Sequence, residues 1–239
     1  MTNLSEQGCV VVENYLDAAQ CEALLERIAD FRKENPLPEI HRATKGRPLR
    51  YKVMDGEAIE GNFPFIWDLY NNDMLELVRE QAGEDINLLS NLKVGVNVNI
   101  MAPQGNTYRW HYDRNAATAI LYLNKVEGGE TVLFPNYRIH LKNLKLGWLQ
   151  NLLDKFIHIP FIRDRFTKRL VVPPSQGKLV IMAGNKCWHS VRPVFGDKDR
   201  INIIFAFDKA DIDLATNPNL DRYLYTDKEQ EGKDPNYKK

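Results

Sequence analysis

The spacing of apolar residues changes near residue 92 of the chain. Before that point, apolar residues recur at intervals of three and four in residues 18–33 and 64–81, as on one face of an α-helix. Asp17 suits the N-cap of the first segment, Asn35 with the following proline ends it, and Gly83 ends the second. We therefore expect two helices that support a sheet from one side.

After residue 92 the period is two. Apolar residues alternate with polar ones from Val94 to Ile100, which predicts a strand with one apolar and one polar face. Asn97 and Asn99 fall on the polar face, and the pattern leaves open whether they meet solvent or a polar cavity. Residues 200–207 alternate in the same way, with Ile201, Ile203, Phe205 and Phe207 on one face and Arg200, Asn202, Ile204 and Ala206 on the other.

Short β-branched runs bounded by Gly and Pro bring the count to six to eight strands, with no βαβ alternation. The fold class that this predicts is an all-β core with flanking helices (α+β), a double-stranded β-helix (jelly roll) preceded by supporting α-helices. We expect residues 1–239 to form a single domain with four parts: helical support at 9–83, core at about 90–208, an insertion at 136–170 and a polar tail at 209–239.

Composition narrows the class of protein without identifying it. The chain has 32 Lys+Arg and 32 Asp+Glu, so net charge gives no argument for a nucleic-acid partner or an anionic membrane. Its three cysteines lack CxxC spacing, which fits a reducing compartment. The first residues do not resemble a signal peptide and no apolar run would span a bilayer, so we expect no membrane span and a cytoplasmic location.

Two segments allow more than one interpretation. Residues 41–52 are basic and interrupted by Gly and Pro, which favours a solvated loop over a substrate-facing one. The insertion at 136–170 is apolar and basic, and it could be a packing element, a lid, a partner surface or a membrane-surface segment.

The candidate chemistry lies in His111-x-Asp113, His189 and Arg200. Two imidazoles and one carboxylate can occupy one face of an octahedral metal and leave the other face open, which is the ligand set of non-haem Fe(II) oxygenases. In an extended strand, residues i and i+2 share a face, so His111 and Asp113 can converge on one ion. His41, His140 and His158 have no carboxylate at i+2, and we expect them to be structural or exposed.

With these blocks, the chain resembles the Fe(II)/2-oxoglutarate-dependent dioxygenases, in their prolyl-hydroxylase-like branch. Four blocks within residues 90–208 carry the resemblance: His111-x-Asp113, Ile120-Leu121-Tyr122-Leu123-Asn124, Gly128-Gly129-Glu130-Thr131 with Phe134-Pro135, and His189-Ser190-Val191-x-Pro193-Val194 with Gly196 and Arg200.

The resemblance implies that His111, Asp113 and His189 bind Fe(II), and that 2-oxoglutarate chelates this iron. It also implies that the distal carboxylate of 2-oxoglutarate meets Arg200, whose guanidinium can bind it bidentately, with Lys198 as the alternative. Tyr122 matches a tyrosine that binds the same carboxylate, and Tyr108 stands where the family often places a site-lining tyrosine. The carboxylate at Asp113 implies hydroxylation or desaturation, because the related halogenases have a small residue there.

The implied activity is that of a hydroxylase that consumes O2 and 2-oxoglutarate, releases succinate and CO2, and oxidises an unactivated C–H bond. We expect a small-molecule substrate, such as an amino acid or a biosynthetic intermediate, and no nucleic acid. The alternatives are a hydroxylase of a protein side chain such as proline, and a non-catalytic jelly-roll module that binds a metal or ligand. The sequence leaves the substrate, the oxidised carbon, the stereochemistry, the choice between hydroxylation and desaturation, the role of the insertion and the oligomeric state undetermined.

Overall fold

Helices occupy much of the first 95 residues. The computed structural model describes residues 4–44, 47–139, 149, 153, 156–157, 159, 161 and 168–209. Its helices are α1 (Leu4–Gln7), α2 (Ala18–Glu34), α3 (Gly56–Asn62), α4 (Pro64–Asn71), α5 (Asp73–Ala82) and α6 (Leu92–Gly95).

The first predicted helix is confirmed, together with its cap. The Asp17 carboxylate accepts a hydrogen bond from the Gln20 backbone N–H at 2.7 Å, and the Gln20 side chain accepts one from the Asp17 N–H at 3.0 Å. This reciprocal capping box satisfies two of the N–H groups that a helix start leaves without partners. The predicted single helix at 64–81 is wrong, because the chain breaks at Asn72 into α4 and α5. The apolar face continues across this break, so the spacing does not reveal it.

Two sheets form the core of the fold. The larger has eight strands in the order β1-β11-β7-β13-β5-β3-β2, with β4 also paired to β13. Its strands are β1 (Cys9–Val12), β2 (Glu39–Thr44), β3 (Arg47–Met54), β4 (Ile86–Leu88), β5 (Val96–Met101), β7 (Ala117–Tyr122), β11 (Leu179–Ala183) and β13 (Arg200–Lys209).

The smaller sheet has five strands in the order β10-β9-β12-β6, with β8 also paired to β12. Its strands are β6 (Asn106–His111), β8 (Glu127–Gly128), β9 (Thr131–Phe134), β10 (Leu170–Val172) and β12 (Trp188–Phe195). All described pairs in both sheets are antiparallel. The predicted jelly roll with supporting helices is therefore confirmed, although the predicted number of strands was too low.

The two faces of the larger sheet have different surroundings. Val98 on β5 and Ile203 and Phe205 on β13 are fully buried in one apolar cluster with residues of α2, α4 and α5. The alternate residues Asn97 and Asn99 point the other way and line a cavity between the sheets. The period of two thus places an apolar core behind the sheet and polar groups in front of it.

Two local predictions were wrong. The strand predicted from Leu92 begins only at Val96, after the helical turn α6. Residues 41–44 and 47–52 are not a loop but lie on the antiparallel strands β2 and β3. Pro48 is tolerated there because it pairs with Ala43 of β2 and precedes the part of β3 that pairs with β5. Tyr51 of the same strand lines the cavity.

Most of the predicted insertion and all of the tail from residue 210 lie outside the described residues, as do His140 and His158. Within the insertion, the Tyr137 hydroxyl donates to the Ile157 carbonyl. Phe156 and Phe161 are exposed. In the part of the chain that is described, no helix is both long and apolar enough to cross a membrane.

Tyr70 connects the helical layer to the site. Its buried hydroxyl donates to the Ala206 carbonyl at 3.1 Å and accepts from the Leu89 N–H at 3.2 Å. We expect Tyr70→Phe to lower the free energy of unfolding by about 1–3 kcal/mol, since both backbone groups lose a buried partner. Tyr15→Phe, at a partly exposed tyrosine, is the control and should change it by less than about 0.5 kcal/mol. Urea denaturation measures both, and equal effects would contradict this role of Tyr70.

Candidate metal and cosubstrate site

Three predicted ligands converge at one end of the cavity. His111 ends β6, His189 lies on β12, and the two residues are direct partners in the strand ladder. Asp113 follows two residues after β6, held by its backbone N–H on the Gly184 carbonyl at 3.1 Å. Its Oδ1 atom lies 3.4 Å from Nε2 of His111 and 3.5 Å from Nε2 of His189. Ligands that share one face of an octahedral ion at bond lengths near 2.1 Å stand about 3 Å apart, so the set is close to the required size.

Both imidazoles present the same nitrogen to the centre. Nδ1 of His111 lies 2.8 Å from the Arg109 carbonyl, and Nδ1 of His189 lies 3.0 Å from the Cys187 carbonyl. A carbonyl only accepts hydrogen bonds, so each Nδ1 carries the proton. The Nε2 lone pairs are therefore left for a metal, which is the arrangement that fixes the tautomer of a ligating histidine.

A short relay of hydrogen bonds orients the carboxylate. The Thr118 hydroxyl donates to Oδ2 of Asp113 at 2.6 Å, and the Asn115 amide donates to the Thr118 oxygen at 2.8 Å. Gly184 leaves room for this group, because a Cβ at that position would stand 3.1 Å from the Cβ of Asp113 and 2.7 Å from the Asn115 carbonyl oxygen. The relay occupies Oδ2 and directs Oδ1 towards the two imidazoles.

The electrostatics of the three groups favour metal binding. Burial alone would raise the pKa of the Asp113 carboxyl, but the two imidazoles and the Thr118 hydroxyl hold this pKa well below its usual range. Burial, reinforced by the neighbouring His111, lowers the pKa of His189 to about 4. A carboxylate that stays ionised and an imidazole that stays neutral are the protonation states that coordinate a cation.

Across the cavity, Arg200 is a buried cation without an acidic partner. Its side chain is 2% exposed, and the described residues place no carboxylate within ion-pair distance of it. Its donors reach the Gly129 carbonyl at 3.0 Å, the Asn202 amide oxygen at 2.5 Å and the Thr131 hydroxyl at 3.2 Å. These neutral acceptors hold the guanidinium in place but leave its charge uncompensated, so the cavity wall is suited to an anion.

The Gly128-Gly129 pair shapes the wall beside Arg200. Both residues have positive φ, at 71° and 66°. A Cβ on Gly129 would stand 3.0 Å from Cδ of Arg200 and 3.2 Å from Cγ2 of Val194. Two successive left-handed residues and this close approach explain why glycine stands at both positions.

The triad and Arg200 face one cavity of about 200 Å³ from opposite sheets. The triad belongs to the smaller sheet and the loop after β6, whereas Arg200 opens β13 of the larger sheet. Tyr108, also on β6, lines the cavity with its ring 4.7 Å from the His111 ring and 6.1 Å from Tyr51.

The other candidates are placed as follows. Tyr122 lies behind the cavity wall, fully buried, with its hydroxyl 2.5 Å from the Thr131 hydroxyl and its ring 5.1 Å from the Arg200 guanidinium carbon. Lys198 is exposed and lies outside the cavity lining, so the structure brings Arg200 and not Lys198 to the site. His41 lies on β2 and not in a loop.

Thr118, Asn115, Thr131 and Asn202 were missed by the sequence analysis. Each lines the cavity and bonds to a predicted site residue or to its partner. Thr131 and Asn202 lay within blocks that had been singled out, at i+2 from Gly129 and i+2 from Arg200. Nothing in the spacing of Asn115 and Thr118 indicated that they orient Asp113.

Comparison with known proteins indicates the class of enzyme. The model of the 2OG-Fe(II) oxygenase superfamily matches residues 96–208. A sequence comparison with curated proteins finds no match. The match covers 113 of the 239 residues, with the three candidate ligands and Arg200 among them, and it indicates a 2-oxoglutarate/Fe(II)-dependent oxygenase, as predicted. The His111-Asp113-His189 triad fits the iron of such an enzyme.

Solved structures share its fold. The α-ketoglutarate-dependent epimerase SnoN from nogalamycin biosynthesis is 15% identical with a TM-score of 0.65, covering 87% of this chain and 81% of its own. HygX from Streptomyces hygroscopicus, solved with nickel and 2-oxoglutarate, is 12% identical with a TM-score of 0.59 and coverages of 87% and 85%. A prolyl-4-hydroxylase from Pseudomonas putida is 18% identical with a TM-score of 0.53 and coverages of 86% and 95%. The fold is thus common to enzymes of small molecules and of prolyl residues.

The relay to Asp113 should matter for metal affinity. We expect Thr118→Val to weaken Fe(II) binding roughly 10–100-fold, because the carboxylate loses the bond that directs Oδ1. Thr107→Val is the matched control, since the Thr107 hydroxyl on the smaller sheet bonds the Val191 carbonyl at 2.6 Å and does not contact Asp113. Anaerobic calorimetric titration with Fe(II) measures both, and unchanged affinity in Thr118→Val would refute the orienting role.

Proposed function

We propose that the protein hydroxylates an unactivated C–H bond of a small molecule, such as an amino acid or a biosynthetic intermediate, and releases succinate and CO2. One observation carries the proposal: a His-Asp-His triad and an uncompensated buried arginine face the same cavity from opposite sheets. When bound, iron(II) and 2-oxoglutarate couple oxidative decarboxylation by O2 to oxidation of the substrate.

Three side chains would bind the iron. His111 and His189 would hold the iron through Nε2 and Asp113 through Oδ1, which leaves the remaining positions to the cosubstrate and oxygen. Asp113 fills the third protein position, so the expected outcome is hydroxylation and not halogenation. These assignments are supported by the convergence of the three atoms within 4.8 Å of one another.

Arg200 would bind the distal carboxylate of 2-oxoglutarate. Its guanidinium is already oriented by Gly129, Asn202 and Thr131, so an entering carboxylate meets a rigid cation in a site shielded from water. Tyr108 would line the cosubstrate's path beside His111. The hydroxyl of Tyr122 bonds Thr131, and from there it would support the same carboxylate site through Thr131 and Arg200.

The size of the cavity supports a small substrate. About 200 Å³ lies between the two sheets, with Tyr51 and Val53 of β3 in its wall, and part of it would be filled by the cosubstrate. The walls beyond the triad include apolar residues of several elements, among them Val53, Leu89 and Ile204, which would exclude water from the reacting bond.

Binding of the cosubstrate tests this assignment directly. Anaerobic addition of Fe(II) and then 2-oxoglutarate should give the visible charge-transfer band of a keto acid chelated to iron. His189→Ala should abolish the band. Arg200→Leu should raise the 2-oxoglutarate concentration for half-maximal band intensity roughly 10–100-fold, because one or two charge-assisted hydrogen bonds to the cosubstrate are lost.

Lys198→Ala is the control for charge, since Lys198 is exposed two residues away, and it should leave the titration unchanged. A band that is absent from the folded, metal-bound protein would overturn the proposal. A titration that is equally sensitive to Lys198→Ala would overturn the role of Arg200.

Gly129 offers a second test of the anion site. We expect Gly129→Ala to raise the half-saturating 2-oxoglutarate concentration at least 10-fold, because the added Cβ displaces the Arg200 side chain and strains a backbone at positive φ. Fe(II) affinity should stay within twofold, since Gly129 contacts none of the three ligands. Gly105→Ala is the matched control: it also has positive φ, but nothing lies within 4 Å of its added Cβ. Equal shifts in both variants would show that backbone strain alone is responsible.

A further inference from the structure

Two buried amide side chains line the cavity but form no hydrogen bond to the metal ligands or to Arg200. Asn97 and Asn99 are 6% and 8% exposed, and both line the cavity. In the described part of the chain, neither side chain has a hydrogen-bond partner. The described residues enclose neither amide completely, so the nitrogen and oxygen atoms of both side chains are open to the cavity, where a ligand can bond them.

The same chain shows what a structural asparagine looks like. Asn106 is 1% exposed, its Oδ1 atom accepts from the Arg50 N–H at 2.6 Å, and its amide donates to the carbonyls of Ala102 and Pro103 at 3.0 and 2.6 Å. Asn202, on the strand beside Asn99, likewise accepts from Arg200. Asn97 and Asn99 lack such contacts, so their polarity does not serve the fold.

Their position points to a ligand other than the cosubstrate. Both lie on β5 at i and i+2, so their side chains leave the same face of the strand about 7 Å apart. Under the proposed function, the keto acid end of 2-oxoglutarate lies on the metal and its distal carboxylate on Arg200. The chain between these ends is two methylene groups, which offer the amides nothing to bind.

We propose that Asn97 and Asn99 bind the primary substrate and select a neutral compound that carries hydroxyl or amide groups along one edge. A carboxamide has both a donor and an acceptor but no charge, so it discriminates by hydrogen bonding and not by ion pairing. The walls around the pair are apolar at Val53, Val94, Ile204 and Ala206, which suits the remaining surface of such a compound. A site built to bond a polar group rejects an analogue without it strongly, because its own groups are then left unpaired.

The first test is stability, which needs no substrate. In Asn97→Leu and Asn99→Leu, the melting temperature should stay the same or rise, because an amide that bonds no group of the protein is replaced by an apolar group of similar shape. In Asn106→Leu it should fall by about 2–4 °C or more, because three hydrogen bonds are lost. If all three variants fall alike, the amides are structural and the proposal is overturned.

The second test is selectivity, measured as substrate-stimulated succinate release. The panel consists of neutral small molecules with two hydroxyl or carboxamide groups, each matched to an analogue lacking one group and to a carboxylate analogue. Wild type should respond at least threefold more to the neutral polar members than to their analogues. Asn97→Leu and Asn99→Leu should lose at least 10-fold of that stimulation.

The charge-transfer titration with 2-oxoglutarate separates the two proposals. It should stay within twofold of wild type in both variants. A 10-fold shift would place the amides on the cosubstrate and overturn the inference, as would a preference for the carboxylate members or no stimulation by any neutral polar member. If wild type itself forms no band, the proposed function fails; if the band forms and the panel fails, the inference alone fails.

Discussion

The buried guanidinium of Arg200 is the feature on which the rest of the site depends. A cation that is 2% exposed and faces only neutral acceptors is costly, and the fold supports it with a paired glycine turn, a threonine and an asparagine. An anion that enters the cavity compensates this charge. The uncompensated arginine therefore lowers the stability of the empty protein and raises its affinity for an anion. The triad lies across the cavity on the smaller sheet, and a dicarboxylate with a chelating keto acid end can join the two.

The strands of the larger sheet make this arrangement possible. Val98 on β5 packs on the helices through one face, while Asn97 and Asn99 line the cavity through the other. The helical layer thus stabilises the sheet from behind and leaves its inner face to polar residues. Tyr70 reaches through this layer to the backbone of Leu89 and Ala206, two residues of the cavity wall. The same strands therefore pack on the helices through one face and line the site through the other.

Much of this could be predicted from sequence, because the signals are local. The period of two gave both faces of residues 200–207, and a capping residue gave the start of α2. The separation of His189 from Arg200 does not reveal that they lie on opposing sheets, since only tertiary pairing decides this. The β2–β3 hairpin was hidden because Pro48 suggested a loop, whereas β3 pairs with β2 along most of its length and with β5 from Tyr51 to Met54. Asn115 and Thr118 could not be predicted, because a hydrogen bond to a metal-binding side chain produces no recognisable pattern in the sequence.

The most direct test of the account is a crystal structure of the protein with Mn(II) and 2-oxoglutarate, in which the metal cannot turn over. We expect one ion about 2.0–2.3 Å from Nε2 of His111, Nε2 of His189 and Oδ1 of Asp113, with three positions left to non-protein ligands. The keto acid end would chelate that ion, and the distal carboxylate would lie on Arg200. A metal held elsewhere, a fourth protein ligand that closes the site, or a cosubstrate turned away from Arg200 would contradict it.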